Sequence, residues 1–192
     1  LLVGDASQDI YAVVKLHMSG TTFEKVGEYV VMENGISASK SGIDVLSVDA
    51  GKTTLLLKTG GTFYTAEVPH DQTSGELTAV TRFSINTTGV SLTTGAVLDV
   101  TGWTWQDCGY HDGRLYVPVC KGASTVVAVY SILNEDGTVK SGALSPDKDC
   151  SIQIGDVNHR VVEVESCAVY DGKLYFNANR TLPDGGKDCD CV

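Results

Sequence analysis

The stretch Cys108-Gly109-Tyr110-His111-Asp112-Gly113-Arg114-Leu115-Tyr116 returns as Cys167-Ala168-Val169-Tyr170-Asp171-Gly172-Lys173-Leu174-Tyr175. Each landmark of the second copy lies 59 positions after its counterpart: Cys108 to Cys167, Gly113 to Gly172, Tyr116 to Tyr175. An Asp-Gly pair between runs of aromatic and aliphatic residues signals a two-residue β-hairpin, because both turn positions need positive φ. Its recurrence at one offset marks an internal repeat.

Working outward, a looser copy lies about 60 residues upstream, with Ile43-Asp44-Val45-Leu46, a turn at Asp49-Ala50-Gly51-Lys52, and Leu55-Leu56-Leu57. The second halves of the units recur as well: Ile10 to Val14 before Ser19-Gly20, Phe63 to Val68 before Ser74-Gly75, and Val126 to Ile132 before Asp136-Gly137. Short apolar runs rich in Val, Ile, Thr and Tyr alternate with Gly-containing turns, and no run sustains a 3.6-residue period with caps. The chain therefore reads as all-β, in antiparallel four-stranded units of the kind that form β-propeller blades. The units fall at about 1–34 (partial), 35–98, 99–156 and 157–192 (partial), all within a single propeller domain. About three blades do not close a ring that typically needs four to eight. The expectation is a partial ring whose remaining blades lie outside this text, with an open β-sandwich as the alternative fold.

Composition narrows the function. The 192 residues are 42% hydrophobic, and Lys+Arg 14 against Asp+Glu 24 leaves a net charge of −10. No basic cluster converges as a phosphate backbone requires, so nucleic acid is not an expected partner. The longest apolar runs, Leu55 to Leu57 and Val126 to Tyr130, fall far short of the roughly 20 residues of a membrane-spanning helix. The chain begins at Leu1 with no signal-like segment, which reads as an interior or mature portion of something longer. Six cysteines (Cys108, Cys120, Cys150, Cys167, Cys189, Cys191) permit fifteen disulfide connectivities and favour an exported protein, against the alternative of buried thiols. Cys189 and Cys191 supply too few ligands for zinc, and a disulfide to Cys150 or to another partner beyond Val192 is the simpler expectation. Asn86-Thr87-Thr88 and Asn179-Arg180-Thr181 are glycosylation triplets if the source uses them.

Each unit opens with a polar motif ahead of its first strand: Gly35-Ile36-Ser37 with Ser41-Gly42-Ile43-Asp44, then Trp103-Thr104-Trp105-Gln106-Asp107-Cys108, then Glu163-Val164-Glu165-Ser166-Cys167. In a propeller such positions converge at one mouth of the channel, and convergence is what a binding site requires. Trp103 and Trp105 alternate and so share a face. They either stack on sugar rings or fill the space between blades. Gln106, Asp107, Glu163 and Glu165 carry the groups that bond sugar hydroxyls, though the two glutamates equally fit a solvated strand face. Glu163 and Glu165 on one regular strand would project from the same side about 7 Å apart. His111 reads as an exposed turn residue.

The series of Ser-Gly-Ile, then Gln106 with the Tyr110-His111-Asp112-Gly113-Arg114-Leu115-Tyr116 hairpin, then Glu163-Val164-Glu165-Ser166 with Tyr170-Asp171-Gly172-Lys173-Leu174-Tyr175, resembles the propellers grouped with helveticin J and the teichoic acid biosynthesis protein C of Gram-positive bacteria and their phages. Gln106-Asp107 stands where Gln-Gly is usual there, and the His-Ala-Asn or His-Gly-Asn motif of an earlier blade is missing. The resemblance implies an extracellular, cell-surface or virion-associated, bacteriocin-like or phage protein that binds a cell-wall glycopolymer.

Enzyme motifs are sparse. Ser47 to Thr53 fits the Ser-x-Asp-x-Gly-x-Thr turn of sialidase-like propellers, with Thr54 in place of the usual aromatic, but that turn is structural. Arg82, Arg114, Arg160 and Arg180 share no frame that would cluster them. No phosphate loop, nucleophile elbow or metal motif occurs, so no catalytic residue, metal or cofactor is expected. The expected function is a binding module for cell-surface glycan or cell-wall polymer. A propeller that docks protein partners in a larger assembly and a sialidase-like glycoside hydrolase are the alternatives.

Overall fold

The computed structural model describes residues 2–5, 12–38, 40–155 and 158–191. The chain is all-β, and among the described residues no helix occurs. It divides into two compact units, Leu1–Arg82 and Phe83–Val192.

In the first unit, β1 (Leu2–Asp5), β2 (Ala12–Ser19), β3 (Thr22–Glu33) and β4 (Ile36–Ser37) form an antiparallel meander. A second meander follows with β5 (Gly42–Val48), β6 (Lys52–Thr59) and β7 (Thr62–Pro69). The strand β8 (Ser74–Thr78) returns to lie parallel to β3. Alternate residues of β3, β6 and β7 point into one apolar cluster that includes Tyr29, Val31, Leu55, Leu57, Tyr64, Ala66 and Val68. This burial is the dominant stabilising term of the unit. The turn Asp49 to Lys52 closes the β5–β6 hairpin, with the Asp49 amide donating to the Lys52 carbonyl at 2.9 Å.

The strand β9 (Val80–Ile85) runs over the division, and in the second unit its residues Phe83–Ile85 pair in parallel with β16 (Gly142–Leu144). Here β10 (Val90–Ser91) and β11 (Val97–Leu98) form a small ladder. The main sheet holds β12 (Thr104–Trp105) and β13 (Gly109–His111) along one side of β14 (Arg114–Lys121), followed by β15 (Ser124–Ser131) and β17 (Ile152–Gly155). The last sheet is β18 (Val161–Tyr170), β19 (Lys173–Thr181) and β20 (Lys187–Cys191). No sheet among the described residues closes on itself.

The two Asp-Gly turns form as their chemistry dictates. Asp112 and Gly113 have φ of 46° and 76°, and Asp171 and Gly172 have 49° and 69°. Positive φ at both centres is the type I′ geometry whose twist matches paired strands. The repeat extends to an irregularity that no turn residue announces. Between the pairs Trp105↔Val119 and Gly109↔Tyr116, residues 106–108 face only 117–118. In the last sheet Glu165 is the extra residue between Val164↔Ala178 and Ser166↔Asn177. Gln106 and Glu165 are 59 positions apart, so both hairpins carry a β-bulge at the same place in their first strand.

These two sheets pack face to face. Thr125, fully buried, donates from Oγ1 to the Val162 carbonyl at 3.0 Å and accepts the Val164 amide at 3.2 Å. The Val162 amide donates to the Gly122 carbonyl at 3.1 Å. Gly109 is required at this contact, since a Cβ there would stand 2.4 Å from the Cys167 carbonyl oxygen.

The cysteines depart from expectation. Cys108, Cys120, Cys150 and Cys167 are thiols, so the expected disulfides do not form among these four. Register explains it for the pair flanking one hairpin: Cys120 lies across from Thr104, whereas Cys108 adjoins the Gly109↔Tyr116 pair. The Cys120 and Cys167 sulfurs turn instead to Glu163 Oε1 at 3.4 Å and the Tyr116 carbonyl at 3.5 Å. The side chains of Cys189 and Cys191 lie outside the described residues, so their expected pairing does too.

Candidate functional site

The β12–β13 bulge and the β18 bulge meet where the two sheets pack, and most of the polar motif residues collect there. Gln106 donates from Nε2 to Glu163 Oε1 at 2.6 Å and lies 3.5 Å from the Cys120 sulfur. Asn179, directly across the ladder from Glu163, donates from Nδ2 to Glu165 Oε1. The Asp107 amide donates to the Glu165 carbonyl at 3.0 Å, and its own Oδ1 accepts the Cys108 amide at 2.8 Å. Ser166 donates from Oγ to Asn177 Oδ1 at 2.7 Å at the edge of this group.

The bulge changes the geometry expected of the glutamates. An uninterrupted strand would space them by about 7 Å, but the extra residue breaks that alternation and leaves the negative charge of Glu163 acting on the Glu165 carboxyl. Burial, and next the negative charge of Glu163, push the Glu165 carboxyl above its ordinary range, while the Asn179 amide pulls it back in part. Burial likewise pushes the Cys120 thiol up, so it is held protonated rather than as a nucleophilic thiolate. Gln106, Asp107, Glu163 and Glu165 are all half-buried. They are fixed by neighbours yet still reached by solvent.

The tryptophans are placed differently. Trp105 pairs with Val119 and Thr104 with Cys120. Directly paired residues share a face and neighbours alternate, so Trp105 lies on the face opposite Cys120 and its partner Glu163. Trp103 lies just before β12, and both rings are half-buried. Four residues of the motif, Gln106, Asp107, Glu163 and Glu165, thus come together, while Trp105 lies on the other face of the strand and outside the group.

Sequence reasoning missed Cys120 and Asn179. The register signal for both exists in the repeat, because Asn179 stands 59 positions after Cys120 and each faces the residue preceding its bulge by two. Among the described residues no cluster of three or more His, Cys, Asp or Glu is arranged to hold a metal ion. No helix there is long and apolar enough to cross a membrane.

No known protein family and no curated protein matches the chain. Among solved structures it is similar to an exo-1,5-alpha-L-arabinanase from a bovine ruminal metagenomic library, with a TM-score of 0.43 and 14% identity. The match covers 95% of this chain and 64% of that one, so the chain spans less than two thirds of that enzyme's length.

Proposed function

We propose that this chain is part of a β-propeller that binds carbohydrate where the two bulges meet. Support for the architecture comes from the 59-residue repeat, the matching bulges and the face-to-face packing of successive antiparallel sheets. The observation that carries the binding role is the cluster of half-buried Gln106, Glu163 and Glu165 with the exposed Asn179 at its edge. Its carboxylates accept from sugar hydroxyls and its amides both donate and accept, which is the complement a neutral saccharide needs.

A glycan array probed with the intact chain tests this reading. Binding that weakens about tenfold, or 1.4 kcal/mol, in Glu163→Ala with the fold retained supports it. Silence across the array favours a module that docks protein partners. The helveticin J resemblance adds an exported or virion-associated setting, which fractionation of the source would test.

The raised Glu165 carboxyl favours one second reading, a glycoside hydrolase in which Glu165 serves as the acid. Glu163 Oε1 already accepts Gln106 and Cys120 and Glu165 Oε1 accepts Asn179, so both carboxyls are held by the protein's own donors, which weighs toward binding. Turnover of a sugar substrate that is lost in Glu165→Gln would reverse that preference.

A further inference from the structure

A second polar group lies at the tip of the β13–β14 hairpin, and the reading above makes no use of it. Directly paired residues share a face, so the pairs His111↔Arg114 and Arg114↔Ser131 set three side chains in a row across three strands. Tyr116, two residues along β14, adds its ring to the same face. Together with the Asp112-Gly113 turn and Leu133 they surround a recess of about 440 Å³.

Asp147 fixes this arrangement. Its Oδ1 accepts the Ser131 amide at 2.9 Å, and its Oδ2 accepts Ser131 Oγ at 2.8 Å and faces Arg114 Nε at 3.6 Å. Asp147 is thereby engaged at both oxygens, and the terminal guanidinium nitrogens of Arg114 remain for another acceptor. Among the described residues neither the His111 ring nor the Tyr116 hydroxyl has a hydrogen-bond partner. The carboxylates bordering the recess are Asp147, offset by Arg114, and Asp112 in the turn. A guanidinium fork with an imidazole and a phenol beside it is a donor set for the oxygens of a carboxylate or phosphate. The equivalent positions 59 residues on hold Lys173 between the exposed Tyr170 and Tyr175, so the cation and one phenol are kept while the imidazole and the guanidinium fork belong to the first hairpin alone.

We propose that the recess formed by His111, Arg114, Tyr116 and Ser131 is a subsite for an oxyanion carried on a saccharide, either a uronate carboxylate or a sugar phosphate. It is separate from the Gln106–Glu163 cluster and stands without the binding role assigned to that cluster. Titration of the intact chain with D-glucuronate, glucose 1-phosphate and, as the neutral control, glucose tests it by NMR shifts of the His111 and Tyr116 rings. Saturable shifts with either anion and none with glucose are expected, and the anion that binds identifies the source of the charge. Arg114→Gln weakens that binding at least tenfold, and Tyr116→Phe, which keeps the ring and the packing, weakens it severalfold. Failure of both anions to saturate, equal response to glucose, or wild-type binding in both variants would overturn the subsite. Glu163→Ala leaves this titration unchanged, so the two sites fail separately.

Discussion

Gln106 Nε2 donates to Glu163 Oε1 at 2.6 Å, joining two β-bulges that stand in successive sheets of one repeat. Glu163 also receives the Cys120 thiol at 3.4 Å. Truncating the amide removes the better donor of a half-buried carboxylate. Gln106→Ala is expected to cost about 1.5–3 kcal/mol, in line with hydrogen bonds to charged groups. Urea denaturation reads this as a lower midpoint at unchanged slope.

Thr125 clamps the same two sheets from within the core. Thr125→Val keeps the shape but leaves the Val162 carbonyl and the Val164 amide without this partner. The expected loss is about 2–4 kcal/mol, because each buried group left unsatisfied costs about 1–3 kcal/mol. A change within 0.5 kcal/mol, the range of ordinary surface substitutions, would mean the sheets do not pack through this residue.

Gly109 and Ala168 occupy equivalent places in the repeat, yet only Gly109 is covered by a following sheet. Gly109→Ala drives a methyl against backbone and is expected to destabilise by about 1–3 kcal/mol, the usual cost of overpacking. Ala168 is exposed, so Ala168→Ser is expected to be near neutral. Thermal melting of the two variants side by side checks the contrast.

Glu165 carries a pH signature. Its carboxyl holds its proton more tightly folded than unfolded, so its contribution to stability is full below the ordinary value of 4.5 and is lost as pH rises through the folded-state value. Glu165→Gln mimics the protonated form at every pH. The variant and the parent are therefore expected to have matching stability below about pH 4.5, with the variant the more stable near neutrality. Melting curves across that range decide it, and a constant difference at all pH values would contradict the assigned cause.

The fold class was legible because Asp-Gly turns, period-2 runs and a fixed 59-residue offset are all local signals. The bulges were not. Glu165 sits between Val164 and Ser166 with no glycine to mark an extra residue, so alternation on paper set the glutamates about 7 Å apart on a regular strand when the register shifts between them. The same register fixes the tryptophans, since the pairing of Trp105 with Val119 depends on which strand β12 joins. Asn179 read as the start of a glycosylation triplet, and only the β18–β19 pairing reveals that its amide serves Glu165. The thiols follow the same logic: six cysteines in a row of numbers permit many bridges, whereas Cα register separates Cys108 from Cys120.

The most direct test of the carbohydrate reading is a glycan array carrying neutral and acidic saccharides, probed with the parent chain and with Glu163→Ala at matched folded concentration. The account predicts selective binding by the parent that falls about tenfold in the variant. Saccharide binding of equal strength in both proteins would contradict a site at the meeting of the two bulges.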